Sequence, residues 1–211
     1  MTLIFNKEFA INPQSNQSGG GGTKYLVSNI TKTGTVSDNK GIIGNFTPDN
    51  KALTTYNPNE IVTTPFEVSI KFKTGSDITT FQGIYGQSVT NKYCPQMQLI
   101  RGSSSTTTRF SQILSPEGST WGSELKYSPV LANTDYILKT VFDGSKAYLY
   151  VSENGSPLEL VSTIDQSAVF WKEPICLGQD NGDEFYGTID LNECYIKRGS
   201  ETVWTGMTVQ E

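Results

Sequence analysis

The sequence predicts an all-β fold built from antiparallel strands, a β-sandwich, and three observations carry that prediction. The runs Tyr136 to Phe142 and Lys146 to Ser152 alternate apolar and polar residues around Asp143-Gly144, and a further turn follows at Asn154-Gly155, the pattern of a β-meander. Short β-rich segments succeed one another from Tyr25 onward, punctuated by Pro48-Asp49, Asn57-Pro58 and Gly75-Ser76-Asp77. No stretch holds helical periodicity; only Glu117 to Leu125 and Asp165 to Trp171 could accommodate a turn or two.

The chain opens with a short apolar piece, Leu3, Ile4 and Phe5 with Phe9 and Ile11, followed by residues 12–22, which end in four glycines, Gly19 to Gly22. Glycine restricts the backbone least, so residues 1–22 read as an arm on a tether and residues 23–211 as the sandwich. Two readings of the arm stay open: an extra strand of the same domain, or an attachment arm that docks by strand addition on another protein or another copy of the chain.

Within the sandwich, strands are expected at Tyr25 to Val27, Gly41 to Phe46, Ala52 to Tyr56, Phe66 to Phe72 and Thr80 to Tyr85. In the fourth of these, Phe66, Val68, Ile70 and Phe72 alternate with Glu67, Ser69 and Lys71, as in a strand with one buried face. Met97 to Ile100 and Phe110 to Leu114 flank a Ser- and Thr-rich loop, and Trp121 falls in a polar, Gly-containing loop. Trp171 and Trp204 sit in apolar, strand-like settings and are assigned to the core.

Composition narrows the function. A chain of 211 residues is long enough for one β-sandwich core, and 36% hydrophobic with 18% charged residues suits strands with a wet face and many turns. A net charge of -5 argues against a nucleic-acid partner, which would need clustered Lys and Arg. Neither a signal peptide nor a membrane-inserting stretch is expected. The chain has no His, which removes Ser-His and Cys-His catalysis and the commonest transition-metal ligand. Cys94, Cys176 and Cys194 are too irregularly spaced for a disulfide scaffold or a zinc site and are read as reduced core residues, with a bridge between Cys176 and Cys194 left open.

A family resemblance now enters. Asn45-Phe46 with Ala52-Leu53-Thr54-Thr55, then Pro65 to Gly75, is similar to the opening strands of laminin-G-like modules. Gly83-Ile84-Tyr85-Gly86, Ile175-Cys176-Leu177-Gly178 and Gly187-Thr188-Ile189-Asp190-Leu191 through Val203-Trp204 continue the same order over most of the chain. The chain thus resembles the concanavalin A-like lectin and glucanase class, in the style of modules found in phage virion proteins. The resemblance implies an antiparallel two-sheet jelly-roll sandwich whose relatives include lectins, glycan hydrolases, protein-binding modules and virion appendages. Fold does not fix function in such a class.

Hydrolysis is tested by the Thr188-Ile189-Asp190-Leu191-Asn192-Glu193 stretch. Glucanases of this architecture carry Glu-x-Asp-x-x-Glu, whereas here Thr188 replaces the first Glu, and Asp190 and Glu193 fall on opposite faces of a regular strand. A bulge could bring the two together, but the expectation is a non-enzyme in which Asp190 caps a turn or bonds backbone amides. Asp180, Asp183 and Glu184, around Asn181-Gly182, offer oxygen ligands for calcium, although a solvated acidic turn is the plainer reading. Sugar stacking would use Trp121, Tyr85 and Tyr93, each beside Ser, Gln or Asn. The expected function is a virion-associated structural or binding module, of capsid or tail, that binds surface glycans and attaches through Leu3, Ile4, Phe5, Phe9 and Ile11. The alternatives are a purely structural decoration protein and a bacterial cell-surface lectin.

Overall fold

The computed structural model describes residues 25–88, 94–101, 107–117 and 122–210. The arm residues Leu3, Ile4, Phe5, Phe9 and Ile11, the glycine tether, Tyr93 and Trp121 lie outside the described residues.

Strand Phe66–Lys73 is the spine of the larger sheet, for the reason its alternation predicts. Phe66, Val68, Ile70 and Phe72 are at most 2% exposed, while Glu67, Lys71 and Lys73 turn outward. Burying each of the four contributes roughly 1.5–3 kcal/mol, so the strand cannot slip by one residue without exposing all of them. One edge of the spine pairs with Asp135–Phe142, which continues through Lys146–Glu153 to Glu159–Asp165 as the expected meander. The other edge takes first Thr188–Asp190 and then Tyr195–Arg198. Between those two strands lies the 3-10 turn Leu191–Glu193, the one helical element among the described residues. The stretches Glu117 to Leu125 and Asp165 to Trp171 hold no helical turn among the described residues and instead contribute to strands Ser123–Tyr127 and Val169–Trp171. Glu201–Thr205, paired with Tyr195–Arg198, and then Ile42–Gly44 and Ser37–Asn39 beyond Thr188–Asp190 complete the nine-stranded sheet.

The second sheet has seven strands in the order Ser123–Tyr127, Thr108–Leu114, Gln96–Arg101, Gln82–Gly86, Cys176–Leu177, Lys51–Thr54 and Ile30–Thr33. The inward side chains of both sheets form one core, including the clusters Tyr56–Trp171–Phe66–Phe142 and Phe185–Phe72–Tyr136–Phe110. Trp171 and Trp204 are core residues, at 0% and 2% exposure. Strands Tyr25–Ser28 and Met207–Gln210 pair as a separate ribbon. The described residues therefore form an antiparallel two-sheet β-sandwich of the jelly-roll type.

All three cysteines are free and buried. Cys176 lies in the seven-stranded sheet and Cys194 follows the 3-10 turn of the nine-stranded sheet, so the bridge left open by the sequence is not formed.

Candidate functional site

Strand Gln82–Gly86 carries glycine at 83 and 86, and the space their missing side chains leave is filled by another part of the chain. Gly83 pairs with Gln98, whose neighbours Met97 and Leu99 point into the core, so both Gly83 and Gln98 belong to the outer face of the seven-stranded sheet. After Leu177 the chain turns at Gly178, with φ +81, and runs across this face as the ribbon Gln179–Asp180 paired with Asp183–Glu184. Asn181 and Gly182 close the ribbon with positive φ values of 52 and 91, the pair a tight hairpin turn selects. A Cβ on Gly83 would come within 2.0 Å of the Asp180 backbone nitrogen.

Asp180 is 2% exposed. Its Oδ1 accepts a hydrogen bond from the Gln87 backbone N–H at 3.0 Å and its Oδ2 accepts one from Gln98 Nε2 at 2.5 Å. Burial pushes its carboxyl up to about 6, against these two bonds, and the charges of Asp183 and Glu173 add to the rise. Around it, Gln87 Oε1, Gln98 Oε1, Gln96 Nε2 and both polar atoms of Gln179 are buried without a hydrogen-bond partner. Such groups are rare in folded proteins and commonly mark a place where water, an ion or a ligand completes the network. Glu173, also buried, accepts from the Ser88 backbone N–H at 2.8 Å and from Ser88 Oγ at 3.0 Å.

The polar stripe continues across the sheet. Ser111 stands opposite Gln98 and donates to Glu124 Oε1, while Lys126 Nζ and Arg109 Nη2 approach Glu124 at 2.7 and 3.4 Å. Burial of Glu124 is outweighed by Lys126, Ser111 and Arg109, which hold its carboxyl below the usual range. Carboxylates, amides and a hydroxyl on one sheet face are suited to a ligand rich in hydroxyl groups. Asp180 lies over strand Gln82–Gly86 and Glu124 on Ser123–Tyr127, three strand spacings away, or about 14 Å.

Several sequence expectations change. Tyr85, read as a surface residue for sugar stacking, is fully buried. A bulge between Gly83 and Tyr85 turns it inward, where its phenol donates to Gln112 Oε1. Thr140 Oγ1 of the facing sheet donates to the same oxygen at 2.8 Å, making a polar link through the core. The acidic trio is divided: register places Asp180 and Asp183 on one face of their ribbon and Glu184 on the other. Among the described residues no three Asp, Glu, Cys or His side chains converge as a metal cage. Asp190 and Glu193, expected on opposite faces, are brought together by the 3-10 turn. Lys71 Nζ lies 3.3 Å from Asp190 Oδ2 and bonds Glu193 Oε1. Asp190 caps that turn as expected, accepting from the Asn192 backbone N–H at 3.1 Å.

Strand ends Gly86, Gln96, Leu114 and Ser123 share one end of the antiparallel sheet, and Tyr93 and Trp121 lie outside the described residues. Gln87 stands near Tyr85 in the sequence reading, whereas the amides Gln96, Gln98 and Gln179 carry no expectation there. The available signal was the alternation Gln96-Met97-Gln98-Leu99 beside the glycines at 83 and 86.

No family model matches the chain, and no curated protein matches it. Solved structures do. The enzymatically active domain of tailspike protein 2 from bacteriophage CBA120 superposes with a TM-score of 0.53 at 11% identity, covering 72% of this chain and 24% of that chain. The full-length tailspike protein 2 gives 0.51 at 12% identity, covering 72% of this chain and 22% of that one. The chain therefore spans about a quarter of the tailspike's length. The exoplasmic/lumenal domain of VIP36 in its Ca2+/Man2-bound form gives 0.52 at 10% identity, covering 84% of this chain and 82% of that chain. At such identities these are likenesses of fold, and they agree with a concanavalin A-like β-sandwich.

Proposed function

We propose that this chain is a non-enzymatic carbohydrate-binding module of a phage particle, with the outer face of the seven-stranded sheet around Asp180 as its glycan site. The observation that carries the reading is the group of buried, unpartnered amide atoms on Gln87, Gln96, Gln98 and Gln179 beside the Asp180 carboxylate. Sugar hydroxyls both donate and accept, so they can satisfy amide and carboxylate groups together. Tyr93 and Trp121 would supply the apolar surface for a sugar face. The fold shared with a phage tailspike domain and with a lumenal domain in its Ca2+/Man2-bound form supports this reading. The N-terminal arm, Leu3 to Ile11, would attach the module to other virion proteins or to a second copy.

A glycan array probed with the purified chain tests the site, in calcium and in chelator. Gln98→Leu, which keeps the side-chain bulk and removes the amide, should abolish array binding while the protein stays folded; unchanged binding would move the site elsewhere. Calcium is an arm of the same experiment. Asp180 and Asp183 share a ribbon face beside amide oxygens, donors a hard cation accepts, and binding lost on chelation would assign the ion there. A complete absence of glycan binding would leave the structural decoration role. Particle attachment is tested by deleting residues 1–22, which should release the chain from its assembly as a folded monomer.

A further inference from the structure

The opposite sheet carries a groove unconnected with Asp180. Alternation along Phe66–Lys73 and Asp135–Phe142 sends Lys71, Lys73, Asp135 and Ile137 to the outer face of the nine-stranded sheet, with Lys71 opposite Ile137 and Lys73 opposite Asp135. Asn154 to Ser156, after the strand beyond Asp135–Phe142, and Thr188, Asp190 and Glu193, beside Phe66–Lys73, line the floor on its two sides. The space between measures about 740 Å³, within the usual range for small-ligand sites.

Its charged wall is held in place from behind. Asp190 Oδ1 accepts from the Asn192 backbone N–H at 3.1 Å and from Asn192 Nδ2 at 2.9 Å, and Asn192 Nδ2 also donates to the Lys40 carbonyl at 3.1 Å. Lys71 then joins Asp190 and Glu193 through one ammonium. Among the described residues no hydrogen bond reaches Glu193 Oε2, and Lys73 and Asp135 make no ion pair within 4.0 Å. The groove therefore offers a fixed Asp190–Lys71–Glu193 array together with the exposed Lys73 ammonium and Asp135 carboxylate. Two ammonium groups and three carboxylates line it together with the hydroxyl of Thr188 and the amide of Asn154. A phosphate or a polycation would meet charge of its own sign there, whereas a polyhydroxylated ring both donates and accepts at each hydroxyl. Ile42, 39% exposed, and Ile137 supply the apolar contact that the C–H face of such a ring requires.

We propose that this groove is a second saccharide site, taking a neutral sugar ring between Ile137, the Lys71–Asp190–Glu193 triad and Thr188. It uses none of the residues of the Asp180 face, so the two stand or fall separately.

The test is an amide 1H–15N titration of the full chain with glucose, galactose, mannose and N-acetylglucosamine, each carried to high millimolar concentration, and with inorganic phosphate and spermidine in parallel. At least one sugar should shift the amides of Lys71, Ile137, Ser152 and Thr188 along one saturating curve, whether or not those of Gln98 and Ser111 follow a curve of their own. Glu193→Gln should weaken that curve about tenfold, the worth of one charge-assisted hydrogen bond, with the rest of the spectrum unchanged to show an intact fold. Three results would each overturn the proposal: no sugar moves the groove amides, phosphate or spermidine saturates there instead, or the Glu193→Gln curve matches the parent's.

Discussion

Gly86 has no room for a side chain because Asp180 occupies it: a Cβ at that position would lie 2.2 Å from Asp180 Oδ1. Gly86→Ala should therefore unseat the ribbon, at a cost of about 1–3 kcal/mol for overpacking, or roughly 2–12 °C in Tm for a chain this size. Adding Asp180→Gly to Gly86→Ala should recover part of the loss. A thermal melt of the three variants measures the coupling, and strictly additive losses would contradict the contact.

Asp180 also gives the protein a pH signature. Its folded carboxyl, raised to about 6, lies above its ordinary value of 3.8, so the folded state holds the proton more tightly than the unfolded one. The contribution is fully present below about pH 4 and is lost as pH rises through about 6. Between pH 7.5 and 5 the Tm of the parent should therefore rise on acidification, and Asp180→Asn should flatten that slope and raise stability at pH 7.5. Below pH 4 the lowered carboxyls of Asp38 and Glu124 work in the opposite direction. Chemical denaturation at stepped pH values separates the two regimes.

Tyr85→Phe should be a stability mutation and nothing more. Gln112 Oε1 keeps the Thr140 bond when the phenol is removed, so the loss is about 0.5–1.5 kcal/mol. Glycan binding at the outer face should be untouched, which an array repeated with the variant checks.

The three thiols should be silent in the native protein. Burial pushes Cys176 and Cys194 up to about 12 and holds Cys94 well above its ordinary value. A thiol reagent such as DTNB should react with none of them at pH 8 and with all three after denaturation; a native reaction at Cys176 would show that the Asp180 ribbon opens.

What the sequence made legible was whatever depends on short-range pattern. The alternation of Phe66 to Phe72, the turn at Asp143-Gly144 and the core placement of Trp171 and Trp204 all follow from neighbours one to a few residues away. Tyr85 was misread because one extra residue at the Gly83 bulge inverts which face its side chain takes, and no local signal marks a bulge. The cap at Asp190 was legible, but Asp190 and Glu193 were set on opposite faces of a regular strand, and the 3-10 turn Leu191–Glu193 brings them together. The Asp180 site was half visible: its acidic turn stood out, whereas Gln87, Gln98 and Glu173 reach it across 93, 82 and 7 positions of chain through folding alone.

The spine strand Phe66–Lys73 has one edge partner at residues 135–142 and the other at 188–198. On a ribosome, the spine emerges more than a hundred residues before the partner that covers its second edge. Until residues 188–198 are released, a nascent chain holds a row of unpaired backbone groups flanked by apolar side chains, the feature that drives edge-to-edge association. The sandwich is thus expected to complete late in synthesis, and a chain cut before Thr188 should aggregate rather than persist as a smaller folded unit.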